Sequence, residues 1–109
     1  MKIIQQHIKE LKKLCEQYHV AELDVFGSVV SEQFTSDSDI DFLVRFVGVE
    51  PLDHFDNYMD FKADLEKLFS REIDLVEVQA IKNPILKQSI DRDKINLYGR
   101  EGTQVAVWY

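Results

Sequence analysis

The chain has 109 residues, 45% of them hydrophobic, and its 20 acidic against 13 basic side chains leave a net charge of −7. That length supports one hydrophobic core, and the acidic balance argues against a broad nucleic-acid surface, whose phosphate affinity comes from clustered Lys and Arg. No segment approaches the roughly 20 apolar residues of a membrane-spanning helix, and the N-terminus is amphipathic, unlike a signal peptide. A single domain over residues 1–109, cytoplasmic and off the membrane, is expected.

Ile4, Ile8, Leu11, Cys15 and Tyr18 recur at helical spacing, with Ile3 and Leu14 widening the stripe, which predicts one amphipathic helix over residues 2–18. Cys15 is the only cysteine; it leaves no intrachain disulfide or Cys-based zinc site and reads as a small apolar residue of that helix. His7 and His19 lack a second ligand at useful spacing and read as surface or helix-end residues. Residues 22–26 read as the first strand, ending at Gly27. Ser28 is placed to cap a short helix over about 29–34, anchored on the core by Phe34, whose free N–H groups and dipole make an anion site. A plain cap is the other reading of Ser28, and the two are compatible.

Thr35 to Ser38 form a turn into a second strand over residues 39–46. Side chains alternate along a strand, so Asp39 and Asp41 point one way while Ile40, Phe42 and Val44 point the other. Two ionised carboxylates side by side repel unless they share a proton or a cation. A hard divalent ion such as Mg²⁺, which takes oxygen ligands and bridges to substrate phosphates, relieves that repulsion. Calcium in an EF-hand is excluded although Asp37, Asp39 and Asp41 have its spacing: its sixth position requires Gly and holds Phe42, and its twelfth requires Glu and holds Gly48.

Gly48 and Pro51 break the chain, and Asp53 is placed to cap a helix over residues 54–69. That helix carries Phe55, Tyr58, Met59, Phe61, Leu65, Leu68 and Phe69, more than one narrow stripe. A thick core contact and a partner surface both account for this excess. The third strand spans residues 72–78, and an Asp within it, Asp74, is costly to bury without a partner. If this strand lies beside residues 39–46, Asp74 becomes a third acid of the cluster; otherwise it is an exposed strand end. Asn83 and Pro84 start a helix running to about Asp91, and Ile95 to Tyr98 read as a last short strand. Gly99 and Gly102 frame a turn before the apolar tail, residues 103–109, which pairs as an edge strand, docks on another chain or has no structural part to play.

Gly27-Ser28, a ten-residue spacer and Asp39-Ile40-Asp41 at the head of an apolar strand resemble the signature of the polymerase-beta-type nucleotidyltransferases. The small size resembles their minimal (MNT) members, and the likeness extends over nearly the whole chain. It implies an α+β fold, a small mixed β-sheet with helices packed mainly on one face. By this resemblance Asp39, Asp41 and Asp74 are the catalytic and metal-binding acids of a two-metal Mg²⁺ site, Asp74 also helps to deprotonate the acceptor, and Gly27 and Ser28 hold the phosphates of ATP. Minimal members are commonly paired with HEPN-domain ribonuclease toxins, so the resemblance implies an antitoxin in a hetero-oligomer that transfers AMP to a toxin tyrosine. The alternative is an antitoxin that neutralises its partner by binding alone. One departure bears on this choice: family sequences often continue Gly-Ser-x-Ala-Arg-Gly, whereas this chain has Val29-Val30-Ser31-Glu32, with Ser31 where the Arg is expected and Glu32 adding the opposite sign.

Overall fold

The computed structural model describes residues 1–31 and 33–99. Four strands, β1 (Val20–Phe26), β2 (Ile40–Phe46), β3 (Ile73–Glu77) and β4 (Ile95–Tyr98), form a mixed sheet in the order β3-β2-β1-β4. β1 is antiparallel to both β2 and β4, while β2 and β3 are parallel. That parallel pair requires a crossover, and the 16-residue helix α3 (His54–Phe69) provides it.

One face of the sheet builds the core. Ile40, Phe42 and Val44 of β2, Leu23 and Val25 of β1, and Ile73 and Leu75 of β3 are all buried in one cluster. The helices α1 (Lys2–Gln6), α2 (Ile8–Gln17) and α3 close over it through Ile4, Leu11, Cys15, Phe61, Leu65 and Phe69. Burial pushes the Cys15 thiol up to about 12, with Glu16 adding to the effect, so it stays protonated and apolar in behaviour. Leu43 and Ile90, the latter on helix α4 (Pro84–Asp93), are buried outside that cluster. Among the described residues no helix is long and apolar enough to cross a membrane.

The expected N-terminal helix is broken at His7. The ring Nδ1 of His7 donates to the Ile3 carbonyl at 2.9 Å, while the His7 backbone N–H turns to Ile4 O at 3.1 Å. The side chain has taken the acceptor that the continuing helix would have used. His7 is a helix-end residue, between α1 and α2, with its ring half-buried edge-on against Phe69 at 5.2 Å. His19 is exposed just beyond α2, as expected of a helix-end residue, with a left-handed φ of 61°.

Of the caps expected for α3 and α4, one differs and one holds. Asp53 precedes α3 but makes no side-chain cap bond, because a 3-10 turn, Pro51–Asp53, already carries the chain in helical conformation into α3. Asn83 does cap: its Oδ1 accepts from Ile85 N at 2.9 Å and Leu86 N at 3.3 Å, with Pro84 at the first helical position. The expectations for Glu32, Gly102 and the 103–109 tail lie outside the described residues.

Candidate active site

The register of β2 and β3 sets Ile40 against Ile73, Asp41 against Asp74 and Phe42 against Leu75. Since the isoleucines, Phe42 and Leu75 face the core, Asp41 and Asp74 project together from the opposite face. Asp74 stands close enough for its side chain and charge to act on Asp41. Asp39 lies just before β2, exposed, and close enough for its charge to act on Asp41. Burial first, then the charges of Asp74 and Asp39, push the Asp41 carboxyl up to about 6.

Gly27 completes this corner. The segment 27–30 is a 3-10 turn in place of the expected helix over 29–34, and Gly27 enters it at φ 77°. A Cβ on Gly27 would stand 2.1 Å from Asp41 Oδ2. Glycine is therefore required twice, for its backbone and for the room it leaves to the carboxylate. Ser28 sits inside the turn and makes no side-chain cap bond. The turn is closed instead by Ser31, whose N–H and Oγ both reach Ser28 O at 3.0 Å. A cavity of about 510 Å³ opens beside the turn, lined by Gly27, Ser28, Val30, Ser31, Gln33 and Asp93. Its size suits a small ligand; the three acids do not line it, and Gly27 is the link between cavity and carboxylates.

Among the described residues no three His, Cys, Asp or Glu side chains form a ready metal cage. Mg²⁺ usually binds through one or two carboxylates plus substrate phosphates. The donor set fits: oxygen ligands only, with mutual repulsion around Asp41 that a cation would relieve.

Two residues escaped the sequence reading. Asp24 on β1 is 2% exposed; it pairs with Leu43 while Phe26 pairs with Asp41, so it shares the face of the acids. Asn96 Nδ2 donates to its Oδ1 at 2.8 Å, and Lys94 Nζ stands 3.7 Å from its Oδ2. Its signal was available, an acid between Leu23 and Val25, the same anomaly that singled out Asp74. Arg71, just before β3, gave none. Its Nη1 donates to Ser38 O at 2.9 Å and Thr35 O at 3.3 Å, and its guanidinium lies 4.7 Å from the centre of the Phe34 ring.

Arg71 thus ties down the loop that delivers Asp39. Arg71→Ala is expected to cost about 1–2 kcal/mol of stability from lost charge-assisted bonds and stacking, read by urea unfolding. Arg71→Lys, which keeps the charge but loses the planar fork, should recover only part of it.

The sequence profile of the polymerase beta nucleotidyltransferase family matches residues 9–103. The chain belongs to that family. Among its relatives, protein adenylyltransferase MntA of Thermococcus cleftensis is 36% identical over 85 residues, covering 78% of this chain and 80% of its own. MJ0128 of Methanocaldococcus jannaschii, provisionally named a protein adenylyltransferase, is 39% identical over 93 residues, covering 85% and 89%. A solved structure provisionally described as a minimal nucleotidyltransferase is 26% identical with a TM-score of 0.71, covering 86% of this chain and 92% of its own. The fold also recurs in the complex of a tri-AMPylated Shewanella oneidensis HEPN toxin with its MNT antitoxin: TM-score 0.62 at 18% identity, covering 90% and 74%. The mixed four-stranded sheet is thus the family's nucleotidyltransferase fold.

Proposed function

We propose that this chain transfers AMP from ATP to a hydroxyl, a tyrosine of a cognate HEPN ribonuclease toxin, and acts as the toxin's antitoxin. The observation that carries this reading is the Asp41–Asp74 pair set across adjacent strands with Gly27 fitted against Asp41. The names of the adenylyltransferase relatives and of the HEPN–MNT complex support it.

In this reading the acceptor oxygen bonds to the α-phosphorus, the bond to the bridging oxygen breaks, and pyrophosphate leaves. Asp74, exposed beside Asp41, takes the acceptor proton. Gly27 and Ser28 hold the β- and γ-phosphates at the cavity mouth. Asp39, Asp41 and Asp74 would hold Mg²⁺, which when bound supplies charge to stabilise the attacking and leaving oxygens. Most of the rate comes from this positioning and charge stabilisation. The HEPN-domain protein, mixed with this chain, Mg²⁺ and ATP labelled at the α-phosphate, should become labelled, and Asp41→Asn should remove the label. Toxin neutralised without label, and equally well by Asp39→Ala with Asp41→Ala, refutes the transfer.

Ser31 favours a second reading, a catalytically weak antitoxin that works by covering its partner. Its hydroxyl is spent on closing the turn, at the position where the resemblance to minimal nucleotidyltransferases implies an Arg. Ser31→Arg should then tighten ATP binding about tenfold, or ~1.4 kcal/mol, measured by calorimetry. No change would show that the missing cation does not limit the site.

A further inference from the structure

Helix α3 has two apolar faces, and only one is used by the core. Phe61, Leu65 and Phe69 are buried, yet Phe55 is 69% exposed and Met59 41%. Residues three and four apart are neighbours on a helix surface, so Phe55 joins Met59 on one side and the 96%-exposed Leu52 on the other. The start of α3 lies by the end of β2, where the ring of Phe46 meets His54 edge-on at 5.7 Å. Around this apolar stripe stand exposed Glu50, Asp53, Asp56 and Asp60. Contiguous exposed apolar surface with a polar rim marks an interaction site.

We infer that this stripe docks the acceptor protein of the proposed transfer, and that the partner meets it with an apolar cluster framed by Lys and Arg. The inference rests on the proposed function for the partner's identity, but the surface itself is independent of the acids. A second copy of the chain is disfavoured, because it would press two acidic rims together at −7 per copy. A basic frame instead meets complementary charge, which speeds encounter and fixes orientation. The stripe begins by the end of β2, five residues or about 17 Å along the strand from Asp41, on the helix-covered side of the sheet. A docked domain roughly 30 Å across must therefore reach the acids around the edge of the sheet.

The test is calorimetric titration of the HEPN-domain protein into this chain and two double variants, with Mg-ATP affinity measured alongside. Phe55→Ser with Met59→Ser should weaken the complex at least tenfold while Mg-ATP affinity stays at the parental value. Asp56→Lys with Asp60→Lys should weaken it comparably and flatten its salt dependence. Parental affinity in both double variants, or no complex with the parent chain, overturns the inference. So does self-association of the parent that disappears in the serine variant, which would assign the stripe to a second copy. A complex that depends on the stripe but leaves the partner unlabelled upholds the surface and refutes the transfer reading alone.

Discussion

Asp41→Asn is expected to lower nucleotidyl transfer about a thousandfold, the scale of removing one group aimed at charge developing in the transition state. The same substitution is expected to stabilise the metal-free protein at neutral pH. The Asp41 carboxyl titrates near 6 in the folded chain, through burial and the nearby charges of Asp74 and Asp39, and near its ordinary ~4 when unfolded. Between those values the folded state holds more proton than the unfolded one, so stability falls as pH rises from about 4 through 6 and stays lower above. Asparagine does not ionise and escapes that loss. The shift corresponds to ~3 kcal/mol for a fully buried group; solvent reaches half-buried Asp41, so screening reduces it to ~1 kcal/mol. Thermal unfolding without divalent ions should therefore place the variant about 4–8 °C above the parent at pH 7.5. The gap should narrow through pH 6 and close only below about pH 4, where Asp41 is protonated in both the folded and the unfolded chain. A variant less stable than the parent at pH 7.5 would show that the carboxylate is not under repulsion.

Gly27→Ala is expected to be the most damaging single methyl group near the site. The added Cβ would meet Asp41 Oδ2 at 2.1 Å, and the residue would be held at φ 77°. The clashing atom is the end of a side chain, so Asp41 can swing aside without unfolding the protein. The backbone cost is ~1–2 kcal/mol for a non-glycine residue in the left-handed region. The cost to function is larger, because the displaced group is the carboxylate itself, and a misplacement of about 1 Å can cost a hundredfold. Transfer should fall at least a hundredfold in a protein that still unfolds cooperatively. Gly99→Ala provides the contrast: its Cβ would strike the backbone oxygen of Ala21 at 2.1 Å, and there the loss should fall on stability.

Elements governed by their own pattern were legible. β2 follows from the alternation of Asp39 and Asp41 with Ile40, Phe42 and Val44, which Leu43 interrupts, α3 from its apolar spacing, and the start of α4 from Asn83-Pro84. The pairing of Asp41 with Asp74 was readable only as a condition, since it depends on the β2–β3 register, and a slip of one residue would send Asp74 into the core. What stayed hidden depends on contacts distant in sequence. The break at His7 requires a ring bond to Ile3 and a resting place on Phe69, 62 positions away. Arg71 serves Thr35 and Ser38, 36 and 33 residues before it. Asp24 becomes intelligible only once β4 brings Asn96 alongside.

The central claim is that Asp41 and Asp74, with Gly27 and Ser28, make one Mg-nucleotide site, and calorimetric titration of ATP into the protein tests it most directly. Binding should require Mg²⁺, and Asp41→Asn and Asp74→Asn should each weaken it at least tenfold. Heat that is the same with and without Mg²⁺, or unchanged in both variants, would contradict the claim.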